Sequence, residues 1–192
     1  MLNRLNDMIK ENGIVIGDDI LKVDSFINHQ IDTKLVDDLG EYFASKFGGV
    51  NKILTIETSG IAFGIGVARK YNYCPLVFAK KSGSKTLDVN NVYISSVPSF
   101  TKNITNNVFV DKKYLNRNDN VLIVDDFMAD GNATLGMIDL CKQAGANIVG
   151  VAIVIEKGFQ KGRERVEELG IKIESAAIVE KFDNGKVILK EW

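Results

Sequence analysis

An α/β fold with a mostly parallel central sheet flanked by helices is predicted by three features of this chain. From Lys52 onward, strand-like apolar runs alternate with helical ones: KILTIE, IAFGIGVARKYN, PLVFAKK, then VLIVDD, ATLGMIDLCKQAG and NIVGVAIVIEK. The strand-like runs are continuously apolar, as strands covered on both faces are. The residues just after each run fall at the carboxyl ends of the strands, where open α/β sheets bind their ligands. At 192 residues, 45% hydrophobic and 26% charged with 2 Pro, the chain suits one globular core, so a single domain over 1–192 is expected.

Each element follows from its local pattern. Leu2, Leu5 and Ile9 lie at helical spacing in MLNRLNDMIKENG, and Gly13 ends that amphipathic helix. The next stretch, IVIGDDILKVDSFINHQID, alternates but is broken by Gly17 and turns at Asn28 to Gln30, which predicts irregular or edge structure. A second helix is predicted from Thr33 to Phe47, with Leu35, Val36, Leu39, Phe43 and Phe47 on one side and Gly48-Gly49 as its stop. Between Lys80 and Lys113 the rhythm fails, and a polar loop feeds β-rich segments such as VYISSV and NNVFV, the pattern of a mobile lid. After Lys157 come a short helix, Gly162 to Leu169, and late strands within IKIESAAIVE and KVILKEW, including a sheet edge.

Composition narrows the function classes. With 24 Lys+Arg against 25 Asp+Glu, net charge -1, the chain has no global attraction for nucleic acid or an anionic membrane, so any anion must be held locally. Cys74 and Cys141 are far apart in apolar or helical contexts and read as reduced thiols, which points to the cytoplasm. No run approaches the roughly 18 apolar residues of a membrane span, and the first helix lacks a signal peptide's apolar segment. The single His29 has no partner at metal or triad spacing.

The chemistry concentrates in VLIVDDFMADGNATL, Val121 to Leu135. A buried strand runs into Asp125 and Asp126, and two ionised carboxylates in a crevice need donors or a cation. Vicinal ribose hydroxyls, one per carboxylate, match them, and Mg²⁺ is the competing partner. Taken alone, the pair equally fits one Asp capping a loop and the other solvated. Successive strand residues face opposite sides, so both acids serve one site only if the chain turns there. Next, Gly131 and its small neighbours lead into a helix running to about Ala144, a junction offering free N–H groups and a positive dipole end to a phosphate.

Other candidates stand at equivalent positions. ETSGIAFG, Glu57 to Gly64, follows KILTI, and Ser59 and Gly60 allow backbone to approach an anion closely; alone, it is also an ordinary strand-to-helix turn. Lys80 and Lys81 either face a polyphosphate across the crevice or form an exposed basic turn. Lys157 ends the VAIVIE strand on the ligand-facing edge. GIGVAR lacks the last glycine of the dinucleotide fingerprint and no GxxxxGK[ST] occurs, which disfavours dinucleotide enzymes and nucleoside triphosphatases.

These residues resemble a known family. VLIVDDFMADGNA is similar to the phosphoribosyl diphosphate (PRPP) motif of the type I phosphoribosyltransferases, and KVDSFINHQID, TIETSGIA and IVIEKGFQKGRE resemble the xanthine-using branch of that family in order along the chain. The resemblance implies the type I phosphoribosyltransferase fold with a small hood over the base, about 1–32 and 157–192, a flexible loop within about 80–113, and a homodimer. It implies that Ala129, Asp130, Gly131, Asn132 and Ala133 bind the 5′-phosphate and Asp125 and Asp126 the ribose hydroxyls. Ser59, Gly60, Lys80 and Lys81 would assist at the diphosphate, and Leu21, Asn28 and Lys157 would contact xanthine. Mg²⁺ would be held mainly by PRPP, with no protein metal ligand assigned. Asp130 and Ala133 depart from the hydroxyl residues common in such loops, and an acid beside a phosphate must point away, pair with a cation, or weaken binding. The alternatives are another purine base, guanine or hypoxanthine, or a PRPP-sensing transcription regulator, although no helix-turn-helix pattern or basic face is evident.

Overall fold

A computed structural model describes residues 2–17, 19–81, 89–99 and 104–191. The elements in chain order are α1 (Leu2–Asn12), β1 (Ile14–Ile16), β2 (Ile20–Lys22), α2 (Thr33–Ala44), β3 (Lys52–Ile56), α3 (Gly60–Lys70), β4 (Leu76–Ala79), β5 (Val92–Ser99) and β6 (Ile104–Asp111). They continue with β7 (Asn120–Met128), α4 (Asn132–Ala144), β8 (Asn147–Lys157), α5 (Gly162–Glu167), β9 (Ile173–Asp183) and β10 (Lys186–Leu189).

The central sheet has six strands in the order β10-β9-β8-β7-β3-β4, all parallel except for the antiparallel edge strand β10. Its strands read as continuous apolar runs because alternate residues enter two separate cores. In β7, Leu122 and Val124 join the core under α2 and α3, while Val121 and Ile123 join the core under α4. From β3 the chain winds through α3 to β4 on one side, and from β7 through α4 to β8 on the other. The winding reverses between β3 and β7, and that switch point leaves a crevice beyond their carboxyl ends.

Several boundaries differ from the expectation. Helix α2 stops at Ala44, not Phe47, because the Ser45 hydroxyl donates to the Tyr42 carbonyl and the next peptides leave the helical path; Phe47 is still buried in the core. Helix α5 is likewise shorter, ending at Glu167. The stretch expected to be irregular is a small antiparallel hairpin, β1 with β2, followed by a single π-helical turn, Asp24–Asn28, that buries Phe26 and Ile27. Within the expected lid, β5 and β6 form an antiparallel hairpin whose Val108 and Val110 are buried in the core under α4. The rest of the expected lid, 82–88 and 100–103, lies outside the described residues.

No helix among the described residues is long and apolar enough to cross a membrane. Cys74 and Cys141 are both free thiols. Burial pushes the Cys141 thiol up to about 12, with the Asp119 charge adding to it, so it behaves as a small core hydrophobe.

Candidate active site

The chain does not turn at the acid pair. Strand β7 continues through it, in register Asp125↔Ile153, Phe127↔Ile155 and Met128↔Glu156. The two carboxylates reach one crevice by another route. Asp125 is buried and its Oδ1 accepts the Asp126 backbone N–H at 3.0 Å, while the Asp126 carboxylate accepts the Asn28 amide Nδ2 at 2.7 Å. The same Nδ2 donates to Ser59 Oγ at 3.2 Å. Next to Ser59, Gly60 lies against Asp125: a Cβ there would meet Thr55 Oγ1 at 2.2 Å and Asp125 Oδ1 at 3.1 Å. Only glycine lets α3 begin this close to the acid. Asp125, Gly60, Ser59, Asn28 and Asp126 therefore ring the switch point.

The electrostatics of the pair follow from its burial and its adjacency. Burial raises the Asp125 carboxyl well above the usual carboxylate range, the neighbouring Asp126 charge raises it further, and the Asp126 N–H and Lys81 oppose the shift. Lys81 also anchors the β3–α3 loop, its backbone N–H donating to Glu57 Oε1 at 2.6 Å. Lys80 lies apart from that loop: its peptide exchanges hydrogen bonds with Phe109, and the residue lines a cavity of about 810 Å³ at the β4 edge that includes Phe78, Phe109 and Tyr114 but neither acid.

A second cavity, about 280 Å³, gathers most of the remaining candidates. Ala129, Asp130, Gly131, Asn132, Ala133 and Lys157 all line it, together with Asp19, Phe127, Met128, Thr134 and Gln160. Gly131 caps α4 with φ +78°, in the left-handed region, and its carbonyl accepts the first helical bond, from the Leu135 N–H at 2.8 Å. The N–H groups of the opening turn of α4 have no partner within the helix, and the dipole end lies in the same place.

Lys157 stands at the far wall, its Nζ donating to the Asp19 carbonyl at 2.5 Å. Burial lowers its affinity for the proton, while Asp19 and Asp130 act to raise it. The Asp130 charge therefore bears on Lys157, although among the described residues the two form no ion pair. Leu21 is a buried core residue of β2 whose main chain pairs with Val15; it does not line this cavity.

Four features here were not legible in the sequence. Gln160 Oε1 is a buried acceptor with no hydrogen-bond partner among the described residues. Phe127 lies between the acids and the loop, where nothing in its neighbours marks it. Arg165 Nη1 donates to the Asp130 carbonyl at 2.5 Å and to Asn132 Oδ1 at 2.9 Å. Arg163 pairs with buried Glu156, Nη2 to Oε2 at 2.6 Å and Nε to Oε1 at 2.9 Å, and the Ser175 hydroxyl donates to the same carboxylate. The last two locate α5 against both β8 and the loop before α4.

Comparison with known proteins places the chain in a family. The phosphoribosyl transferase domain model matches residues 28–183. A xanthine phosphoribosyltransferase 2 of Clostridium botulinum is 52% identical over 188 residues, covering 97% of this chain and 98% of the relative. A xanthine phosphoribosyltransferase of Clostridioides difficile is 51% identical over 188 residues, with the same coverage. Among solved structures, an adenine phosphoribosyltransferase from Thermoanaerobacter pseudethanolicus shares the fold at TM-score 0.74 and 20% identity, over 93% of this chain and 99% of its own. An adenine phosphoribosyltransferase from Giardia lamblia does so at TM-score 0.74 and 22% identity, over 92% and 96%. With the family model matched over residues 28–183 and relatives about 50% identical over nearly its whole length, the chain belongs to the phosphoribosyl transferase family.

Proposed function

We propose that this protein transfers the 5-phosphoribosyl group from PRPP to N9 of xanthine, giving xanthosine 5′-monophosphate and pyrophosphate. The observation that carries the reading is the convergence of Lys157 with the 129–133 loop on one cavity, next to the acid pair. The two Clostridium and Clostridioides relatives named for xanthine support the choice of base.

In this reading the loop N–H groups hold the 5′-phosphate, and Asp125 and Asp126 accept the ribose hydroxyls. N9 attacks the anomeric carbon as the carbon–oxygen bond to pyrophosphate breaks, and the N–H proton is released. The anomeric carbon carries positive charge as that bond opens. The two acids lie beneath it, so positioning and fixed charge do most of the work. At the base, Lys157 donates to an exocyclic oxygen, which adenine lacks, and the unpartnered Gln160 Oε1 is available to accept a ring N–H. Asn28 stands at the hood side of the site, held against Asp126 and Ser59, whereas Leu21 packs in the core outside the cavity that Lys157 lines.

Mg²⁺ fits this donor set: Asp125 and Asp126 are adjacent carboxylates at the switch point, hard oxygen donors of the kind it takes, and among the described residues neither enters an ion pair. When bound it neutralises charge on the pyrophosphate leaving group, held mainly by PRPP itself. Ser59, Gly60 and Lys81 then complete the diphosphate end, while Lys80, whose peptide pairs with Phe109 and which lines the β4-edge cavity, stands outside it. The chain is one domain, with 1–32 and 157–192 as hood and a closing loop within 80–113, and it works as a cytoplasmic homodimer.

Kinetics of Lys157→Ala test the assignment. We expect the KM for xanthine to rise by on the order of tenfold or more, as for loss of a charged hydrogen bond, with the KM for PRPP little changed. Equal effects on both would remove Lys157 from the base.

A further inference from the structure

We propose that Arg165, on the short helix after the base-contacting lysine, is a positioning residue that sets the phosphate loop in its binding geometry. The proposal rests on the reading of 129–133 as the 5′-phosphate site. Two successive carbonyls of that loop are held toward α5: that of Ala129 by the Gly162 N–H at 3.1 Å, and that of Asp130 by Arg165 Nη1 at 2.5 Å. Among the described residues the only cis peptide joins Glu57 to Thr58, so the loop peptides are trans. In a planar trans peptide the N–H points opposite to the carbonyl. The N–H groups of Asp130 and Gly131 are therefore turned away from α5, and α5 contributes no lining residue to the 280 Å³ cavity. Fixing the carbonyls on one side presents the donors on the other.

Arg165 does the same for a side chain. A guanidinium only donates, so the amide of Asn132 must turn its oxygen toward Arg165, as it does at 2.9 Å. Its NH₂ is then directed elsewhere, as a donor beside the first turn of α4. Among the described residues Arg165 enters no ion pair with a carboxylate, so its charge is not cancelled and favours an anion on the loop.

The clamp is stiff because its other side is anchored. Two residues earlier on α5, Arg163 holds the buried Glu156 of β8. Gly162 and Gly131 touch through their backbones, since a Cβ on Gly131 would lie 2.9 Å from Gly162 Cα. Helix α5 thus joins the end of β8, which carries Lys157, to the phosphate loop.

Steady-state kinetics with Mg²⁺, PRPP and xanthine on wild type, Arg165→Met, Arg165→Lys and Asn132→Ala test this. Met keeps most of the side-chain bulk but no donor; Lys keeps the charge without the planar fork. Arg165→Met is expected to raise the KM for PRPP by on the order of tenfold while the KM for xanthine changes less than about twofold. Arg165→Lys should recover part of that loss. Adding Asn132→Ala to Arg165→Met should cost far less than Asn132→Ala does alone, because the amide has already lost its orientation. An unchanged KM for PRPP, or parallel rises in both KM values, overturns the proposal; if Arg165→Met fails to fold, Arg165→Lys is judged by the same split. Wild-type turnover with an unaffected variant refutes only the role of Arg165, whereas no wild-type turnover of PRPP with xanthine refutes the functional reading and this role with it.

Discussion

Replacing Gly131 by alanine probes the contact on which the phosphate loop is built. Gly131 has φ +78°, and an added Cβ would sit 2.9 Å from Gly162 Cα and 3.3 Å from its carbonyl oxygen, backbone atoms that cannot rotate aside. Gly170 is the matched control: its φ is +71°, and an added Cβ would meet nothing within 4 Å. Both substitutions carry the left-handed penalty, about 1–2 kcal/mol. Both also stiffen the unfolded chain to a similar extent, so that effect cancels in the comparison. Only Gly131→Ala adds crowding, about 1–3 kcal/mol for a methyl forced into packed structure. The expected losses are therefore about 2–5 kcal/mol at Gly131 and about 1–2 kcal/mol at Gly170. Urea unfolding reads both, provided the slope with denaturant is the same. Equal losses would mean that α5 moves off the loop at no cost and would refute the clamp.

Asp125→Asn should make the protein more stable at neutral pH while weakening PRPP binding. The folded carboxyl titrates above its unfolded value of about 3.9, so the folded chain binds the proton more tightly and wild-type stability falls as pH rises through that interval. Asparagine keeps the Oδ1 acceptor for the Asp126 N–H without the charge. Its advantage in thermal unfolding should be about 0.5–2 kcal/mol at neutral pH and vanish below about pH 4; a variant less stable than wild type at pH 7 would contradict the assigned cause. Arg163→Met leaves the carboxylate of Glu156, 3% exposed, without its cation and should cost about 3–5 kcal/mol in urea unfolding, whereas a loss under about 1 kcal/mol would show that Ser175 alone suffices.

The architecture was readable because its signals are local. A strand covered on both faces has to be apolar at every position, and Val121 to Val124 could hardly be anything else; Gly131 and the run to Ala144 likewise carry their own start and stop. What was missed depends on residues distant in sequence. Strand β7 runs straight through Asp125 and Asp126, where alternation argued for a turn, because a bridge from Asn28, 98 residues earlier, gathers Asp126 toward Ser59. GRERVEEL has the composition of a solvated helix face, and nothing in it says that Arg163 reaches β8 while Arg165 reaches the loop before α4. Asp130 is another such case: its carbonyl is held by Arg165 and its charge bears on Lys157, neither of which is its neighbour in sequence.

The central claim is that the switch-point crevice and the phosphate-loop cavity form one active site for PRPP and a 6-oxopurine. Pyrophosphate release from PRPP and Mg²⁺, measured with xanthine, guanine, hypoxanthine and adenine in turn, tests it most directly. The highest kcat/KM is expected for xanthine and the lowest for adenine; no turnover with any of the four, or a preference for adenine, would overturn the assignment.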